Sequence, residues 1–347
     1  MRRRQLTIAV AGLLGSPSVW SRRRPQRDAD AAAPSYRRRA EVAAAARMFA
    51  QEHELDPAWI EETLAQARYV PKVAQLMMPP ASPSARNWAA YRSRFIERQR
   101  IEAGRQWWER HADVLDESAR RFGVPAEIIV GIVGVETFYG RLTGGFRVLD
   151  ALATLAFDFP KGRSDRSPFF LSELGHYLAL TRREAWQPAA VMGSYAGAMG
   201  LPQFMPSSLR NYGVDLDDDG RVDLFASAAD VAASVAYYLD EHGWQHGMPT
   251  HFAVEAPADR VDRATLLVPD IVPSFSAQEM QEHGARLSEA GRAHDDALAL
   301  IELRNGDSPP SHVAGTRNFY AITRYNASSY YAMAVIELGA AVAAARA

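Results

Sequence analysis

The segment Gly131-Ile-Val-Gly-Val-Glu-Thr-Phe-Tyr-Gly-Arg141 constrains the fold more than any other, because it is an apolar helical run carrying one carboxylate, Glu136, just before a glycine stop. Gly123-Val-Pro125 places a proline near the first helical position, and Ile128, Ile129, Ile132, Val133 and Val135 continue the run. Positions 129, 132, 133 and 136 share one helical face, so Glu136 follows the apolar stripe inward. Two effects favour its neutral form. Burial raises a carboxyl pKa, and the C-terminal end of a helix, carrying about −0.5 of a charge, disfavours a further anion. Such a carboxyl suits general acid catalysis near pH 7. On the helix pattern alone, a structural glutamate bonded to a buried amide or arginine is the alternative.

With 347 residues, 48% hydrophobic and 23% charged, the chain can bury a sizeable core and is expected to divide into two or three substructures. A formal net charge of −2 gives no signal for nucleic acid. Of the 39 basic residues only Lys72 and Lys161 are lysine, so a lone arginine here is weak evidence of anion recognition. The absence of cysteine excludes disulfides, thiolate metal sites, a cysteine nucleophile and a lipid-modified cysteine.

Arg2-Arg3-Arg4, followed by the short apolar run Leu6-Thr-Ile-Ala-Val-Ala-Gly-Leu-Leu14, reads as an export signal too short to span a bilayer. Residues 21–38, rich in Arg, Asp, Ala and Pro, read as a disordered tether. A helical region follows: Val42, Ala45, Ala46 and Phe49 share a face, and Asp56 caps a second helix opened by Pro57. Pro79-Pro80-Ala-Ser-Pro83 breaks the pattern before a helix over 88–110 that carries Tyr91, Phe95, Trp107 and Trp108.

A second constellation, Ser194-Tyr-Ala-Gly-Ala-Met-Gly-Leu-Pro-Gln-Phe-Met-Pro206, is a non-repetitive loop before a helix opened by Ser207 and Ser208. Gly197 and Gly200 permit close backbone approach, while Ser194 and Gln203 offer hydrogen bonds to a ligand amide or hydroxyl. A tight helix–helix crossing would use the same residue types.

Together, Gly134-Val-Glu-Thr-Phe-Tyr-Gly-Arg141 and the 194–206 segment closely resemble the lytic murein transglycosylase B family, whose core is similar to goose-type lysozyme. Tyr91-Arg-Ser-Arg-Phe95, Leu149-Asp-Ala-Leu-Ala-Thr-Leu-Ala-Phe157, Ala232-Ala-Ser-Val-Ala-Tyr-Tyr238 and Asn318-Phe-Tyr-Ala-Ile-Thr-Arg-Tyr-Asn-Ala-Ser-Ser-Tyr-Tyr-Ala-Met333 extend the resemblance over residues 40–345. It implies a mainly α fold: a lysozyme-like α core with an N-terminal helical region and a small β-rich insertion. The expected segments are 1–38 signal and tether, 39–110 N-terminal helices, 111–246 catalytic core, 247–317 β-rich subdomain and 318–347 return to the core.

The resemblance further implies cleavage of the β-1,4 bond between N-acetylmuramic acid and N-acetylglucosamine without water. Glu136 acts as acid and then base, and the substrate acetamido group assists, leaving a 1,6-anhydromuramoyl end. Such a mechanism departs from the two-carboxylate scheme of most glycosidases. Ser194 and Gln203 match substrate contacts, and Tyr91, Tyr238, Tyr325 and Tyr331 match cleft aromatics, with Asn326 beside them as an acetamide partner. Where some relatives carry adjacent arginines facing the peptidoglycan stem, this chain reads Lys161-Gly-Arg-Ser-Asp-Arg166, which leaves Arg163 or Arg166 as the substitute. A hydrolytic muramidase and a catalytically silent peptidoglycan-binding scaffold are the competing readings. The expected partner is the peptidoglycan glycan strand, in the periplasm, with other cell-wall enzymes as further candidates. A monomer with no organic cofactor and no nucleic acid partner is expected.

Asp215-Leu-Asp-Asp-Asp-Gly-Arg-Val-Asp223 fits D-x-D-x-D-G. Asp215, Asp217, Asp219 and Asp223, with the Arg221 carbonyl, make a hard-cation cage of the EF-hand kind. The usual glutamate at loop position 12 is replaced by Ala226; Asp230 would close a lengthened loop, which the resemblance supports. Calcium there is expected to stabilise rather than catalyse. In 247–317, the short runs Ala264-Thr-Leu-Leu-Val268 and Ala297-Leu-Ala-Leu-Ile-Glu-Leu303 suggest strands. The histidines show no zinc-ligand spacing.

Overall fold

The computed structural model describes residues 36–37, 39–78 and 87–347, so the expected export signal, most of the tether and the 79–83 break lie outside the described residues. Along the chain come α1 (Ala40–His53), α2 (Pro57–Leu64), α3 (Pro71–Met77), α4 (Trp88–Arg92), α5 (Arg98–Arg110), α6 (Ala112–Phe122), α7 (Ala126–Thr137), β1 (Phe146–Arg147), α8 (Val148–Phe157), α9 (Ser167–Arg183), β2 (Met192–Gly193), α10 (Pro206–Tyr212) and α11 (Ala228–Glu241). Then follow β3 (His251–Glu255), α12 (Arg260–Leu267), α13 (Ala277–Glu282), β4 (Arg286–Leu287), α14 (Glu289–Arg292), β5 (Ala299–Asn305), β6 (Ser308–Gly315), α15 (Arg317–Tyr325) and α16 (Ser329–Ala344). The fold is mainly α, as the sequence implies. Among the described residues no single helix is long and apolar enough to cross a membrane.

Contacts divide the described residues into two compact units, one of 87–139 with 232–347, the other of 36–78 with 140–231. These cuts fall elsewhere than the sequence-based segment boundaries.

In the second unit, α1 buries Val42, Ala45, Ala46 and Phe49, the face expected from their spacing, and packs on α2 and α9. Asp56 caps α2 by accepting the Ala58 N–H at 3.0 Å. Helix α8 is buried from Val148 to Leu155, including two polar side chains. Both are satisfied by an irregular segment: Asp150 accepts the Arg68 N–H and Thr154 accepts the Val70 N–H, each at 3.0 Å.

In the first unit, α7 lies against α16, α5 and α6. Apart from Glu127 and Glu136 every residue of α7 is buried, so this helix is enclosed all round rather than along one stripe. The α7–α16 contact is close enough to exclude side chains. A Cβ on Gly131 would lie 2.2 Å from the Val335 carbonyl oxygen, and one on Gly339 would lie 2.1 Å from that of Glu127. The expected helix over 88–110 is two helices, because Glu97 accepts the Gln99 and Arg100 N–H groups (both 2.7 Å) and starts α5 afresh.

The β-rich part of this unit is a four-stranded antiparallel sheet in the order β4-β3-β6-β5. Phe252, Leu287, Leu298, Leu300 and Ala314 form its core with Leu266 and Met280 from the helices. Residues 299–305 form a strand, as their alternation suggests. The run 264–268 does not: it closes α12, because Asp259 accepts the Val261 and Asp262 N–H groups and fixes a helix start that brings Leu266 into the core.

Gly339→Ala is expected to lower stability by about 1–3 kcal/mol, since the backbones of α7 and α16 must separate to admit the methyl group. Gly145→Ala, where a Cβ meets nothing within 4 Å, should be near neutral. Urea denaturation of both variants measures the contrast.

Candidate active site

Glu136 occupies the last turn of α7, and the chain reverses immediately after it. The reversal begins before the glycine expected to make it: Phe138 and Tyr139 both adopt left-handed backbone (φ 52° and 56°) ahead of Gly140. Such a conformation costs a side-chain-bearing residue roughly 1–2 kcal/mol. Packing offsets the cost. The buried Arg100 guanidinium lies 4.4 Å from the Phe138 ring centroid and 5.2 Å from that of Phe95, and its Nη1 donates to the Gly134 carbonyl at 2.5 Å. Tyr139 stacks on Trp107 at 5.9 Å, with its hydroxyl over Gly104 and Gly134, where any Cβ would overlap it. Arg100 and Tyr139 were not singled out by sequence reasoning; the small residues Gly104 and Gly134 facing one aromatic were the available signal.

The C-terminal end of α7 is therefore not a bare negative pole, because a guanidinium caps one of its carbonyls. Burial is what raises the Glu136 pKa, from 4.5 to about 7, and the hydrogen bond from Tyr331 opposes it. The Tyr331 hydroxyl donates to Glu136 Oε1 at 2.6 Å. Tyr331 sits in the first turn of α16, whose N-cap is Ser328, and α15 meets α16 at a 104° bend. Tyr325, at the end of α15, stacks on Tyr331 at 6.3 Å and meets Tyr238 edge-on at 4.9 Å. Tyr238 in turn donates to the Arg324 carbonyl at 2.7 Å. Burial and the charge of Glu136 hold the Tyr325 and Tyr331 phenols well above their ordinary pKa, and push Tyr91 up to about 12. Asn326 is buried at the bend, with no side-chain hydrogen bond among the described residues.

The first unit thus brings Glu136, Tyr91, Tyr238, Tyr325 and Tyr331 into one cluster, with Asn326 at its edge. Two further aromatics extend it: Trp88 and Tyr330 pack around Tyr91 with ring centroids 5.7–6.2 Å apart.

Ser194 and Gln203 belong to the second unit. Ser194 Oγ accepts the Ala198 N–H at 3.0 Å, which shapes its loop and leaves the hydroxyl proton for a ligand. Gln203 has left-handed backbone (φ 52°), and its amide donates to the Gly200 and Thr143 carbonyls at 2.9 and 3.2 Å. Its side-chain carbonyl is left to accept. Arg163 is exposed, and its guanidinium bonds the Met77 carbonyl. Arg166 lies over Phe169 and Phe170.

Of the expected calcium ligands, Asp215, Asp217 and Asp230 come together, each offering an oxygen within 4.8 Å of the others. Oxygens on one calcium ion at 2.3–2.6 Å span up to about 5 Å, so the three fit one ion. Burial, then the neighbouring Asp217 and Asp215 charges, raise the Asp230 pKa, which is the electrostatics of a group that a cation would relieve. Asp219 turns to the Arg221 side chain at 3.2 Å, and Asp223 accepts the Phe225 and Ala226 N–H groups. Both therefore stand outside the cluster of three, and Arg221, expected to contribute its carbonyl, is held by its backbone N–H donating to Asp219 at 3.1 Å.

Residues 37–340 match the Transglycosylase SLT domain. The chain is 39% identical over 303 residues to membrane-bound lytic murein transglycosylase B of Escherichia coli (strain K12), covering 85% of this chain and 80% of that protein. The chain belongs to this family of lytic transglycosylases. This transglycosylase also superposes on the catenated lytic transglycosylase SltB1 of Pseudomonas aeruginosa with a TM-score of 0.82, at 38% identity, over 90% of this chain and 100% of that one. Escherichia coli Slt35 in complex with calcium gives 0.76 at 36% identity, over 87% and 93%. Pseudomonas aeruginosa SltB3 in complex with NAG-NAM-pentapeptide gives 0.71 at 29%, over 86% and 78%. The lysozyme-like fold and the enzyme class implied by the sequence motifs are those of the family.

Removing the phenol that donates to Glu136 removes the one interaction opposing its raised pKa. Tyr331→Phe is therefore expected to move the Glu136 titration above about 7. Carboxyl carbon NMR of the Glu136 signal measures the shift; an unmoved or lowered pKa contradicts it.

Proposed function

We propose that this transglycosylase cleaves the β-1,4 bond between N-acetylmuramic acid and N-acetylglucosamine in the periplasm, with Glu136 as both acid and base. One observation carries the reading: Glu136 is held near neutrality by burial and one phenol, and no second carboxylate figures among the described groups that perturb it. Two-carboxylate glycosidases instead place a second acid about 5–9.5 Å away to attack the sugar or to activate water.

In the first step the Glu136 proton passes to the glycosidic oxygen as the C1–O bond breaks. The acetamido carbonyl oxygen of the muramoyl sugar forms a bond to C1 from the opposite face. In the second, the Glu136 carboxylate takes the proton of the C6 hydroxyl while O6 displaces the acetamido oxygen from C1. The 1,6-anhydro ring closes and Glu136 is again protonated, with no water consumed. Tyr331 donates to the carboxylate formed between the two steps, while Asn326, Ser194 and Gln203 bind acetamido and hydroxyl groups. Tyr91, Tyr238 and Tyr325 present ring surface to the sugars, and Arg163 meets the anionic peptide.

Glu136→Gln is expected to lower the turnover of purified sacculi by at least about 10³-fold while retaining sacculus binding. Mass spectrometry of the wild-type products should find anhydromuramoyl ends; free reducing ends would make the enzyme a muramidase.

Calcium held by Asp215, Asp217 and Asp230 would brace the loop before α11. Saturating calcium should raise the melting temperature, with a gain of about 3 kcal/mol at a hundredfold excess over Kd. Asp217→Asn, which spares the backbone bonds made by Asp215 and Asp230, should abolish most of that shift in a calorimetric scan.

A further inference from the structure

Tyr91 belongs to the catalytic cluster, yet the helix that carries it, α4, is only five residues long. A helix of that length is not held by its own hydrogen bonds, so the place of Tyr91 is set by what α4 rests on. Its first turn rests on the end of β5. That strand is an outer one in the order β4-β3-β6-β5, so the main-chain groups along its free edge need partners outside the sheet. Asn87, the N-cap of α4, forms an antiparallel bridge with Asn305. The Asn305 side-chain carbonyl accepts the Ala89 N–H at 3.2 Å, one of the donors that the first turn of a helix leaves without a partner in the helix. Its amide faces the other way and donates to the Pro309 carbonyl at 3.1 Å and to Ser311 Oγ at 3.3 Å, both on β6. One side chain therefore ties α4 to both strands of a hairpin.

The neighbouring residue of β5 holds the other side of Tyr91. The Arg304 carbonyl accepts the Tyr330 hydroxyl at 2.8 Å, and Tyr330 opens α16 directly before Tyr331, the donor to Glu136. The Tyr91 ring stacks on Trp88 at 6.2 Å and meets Tyr330 edge-on at 5.7 Å, while Trp88 and Tyr330 touch each other edge-on. Two rings of this trio come from α4 and one from α16, and both helices are bonded to consecutive residues of β5. The far end of α4 is tied to α16 by the Arg92–Glu337 pair, whose side chains remain partly in solvent, where an ion pair contributes little. The directional hold on α4 is the one at β5.

We propose that Asn305 is a positioning residue for the reaction: the end of β5 fixes Tyr91 against the sugar bound at Glu136, which makes the β-rich part of the first unit a working part of the active site. The proposal rests on the reading of Tyr91 as a sugar contact given above. A ring face pays for displacement steeply, since a gap of about 0.5–1 Å already forfeits a quarter to a half of its dispersion contact. Because such a contact exists before as well as during bond cleavage, its loss should appear in KM and not in kcat.

The test uses steady-state kinetics on purified glycan strands and the ring carbon NMR shifts of Tyr91, which sense the Trp88 and Tyr330 rings. Asn305→Ala should raise KM about fivefold, the size of one hydrogen bond, keep kcat within about twofold, and move the Tyr91 shifts. Asn305→Asp keeps an oxygen for the Ala89 N–H and loses the donor to β6, so it should restore KM and the shifts even where it lowers the melting temperature. In a Tyr91→Ala background, Asn305→Ala should change kcat/KM no further, because two residues acting through one contact are not additive. Arg286→Gln, on an exposed pair of the same sheet, should change none of these values. Additive losses, an aspartate variant as impaired as the alanine one, or unmoved Tyr91 shifts overturn the proposal. Reducing ends among the products, or no cleavage by the unaltered enzyme, would instead sink the transglycosylase mechanism, and the Tyr91 shifts would still decide whether Asn305 places that ring.

Discussion

The crossing of α7 and α16 at Gly131 and Gly339 is the constraint on which the acid centre depends. Gly339 faces the Glu127 carbonyl and Gly131 faces that of Val335, so each turn gained along α7 is matched by a turn lost along α16. That is the register of antiparallel helices whose ridges of every fourth residue meet. One further turn in the same register sets Tyr331 opposite the end of α7, where it donates to Glu136. The Tyr331–Glu136 hydrogen bond is thus a consequence of backbone packing one to two turns away. A side chain at either glycine would spread the helices and draw the phenol from the carboxyl before touching either group.

The electrostatics follow from the same enclosure. A helix buried on nearly every side carries the Glu136 carboxyl at its end, where the backbone must also reverse through two left-handed aromatic residues. Arg100 makes this tolerable by bonding the Gly134 carbonyl and packing on Phe138, each two residues from Glu136, yet Arg100 is absent from the groups that set the Glu136 pKa. A cation placed directly on the carboxyl would have lowered its pKa and spoiled a proton donor. Spent on the helix end, the charge stabilises the reversal instead.

Much of this was legible in the sequence. The buried face of α1, the Asp56 cap and the strand at 299–305 follow from periodicity and capping chemistry, which are local. Glu136 was legible because an acid in an apolar run is rare and its consequence is general. The misreadings are those where a cap decided between alternatives. Residues 264–268 alternate like a strand but end a helix that Asp259 starts, and Glu97 splits a helix that composition would let run on. Arg100 was invisible because its partners, a carbonyl and two ring faces, leave no spacing to read, and in a chain this rich in arginine one more carries no signal.

A single group asked to be acid and base in turn has a narrower requirement than either partner of a two-carboxylate pair. Too high a pKa makes a poor donor and too low a pKa makes a poor base, so a value near the working pH serves both halves. Burial alone overshoots, and Tyr331 is the counterweight, since its hydroxyl bonds the anion more strongly than the acid. The surrounding phenols suit this task because their own pKa values are pushed upward by burial and by the same carboxylate, so they remain donors and do not add a second negative charge. An aspartate in place of any of them would reinstate the like-charge problem that a one-carboxylate mechanism avoids. In the mechanism proposed above, the tyrosine cluster would be the electrostatic substitute for a second acid, and its packing against α7 would leave the substrate to supply the nucleophile itself.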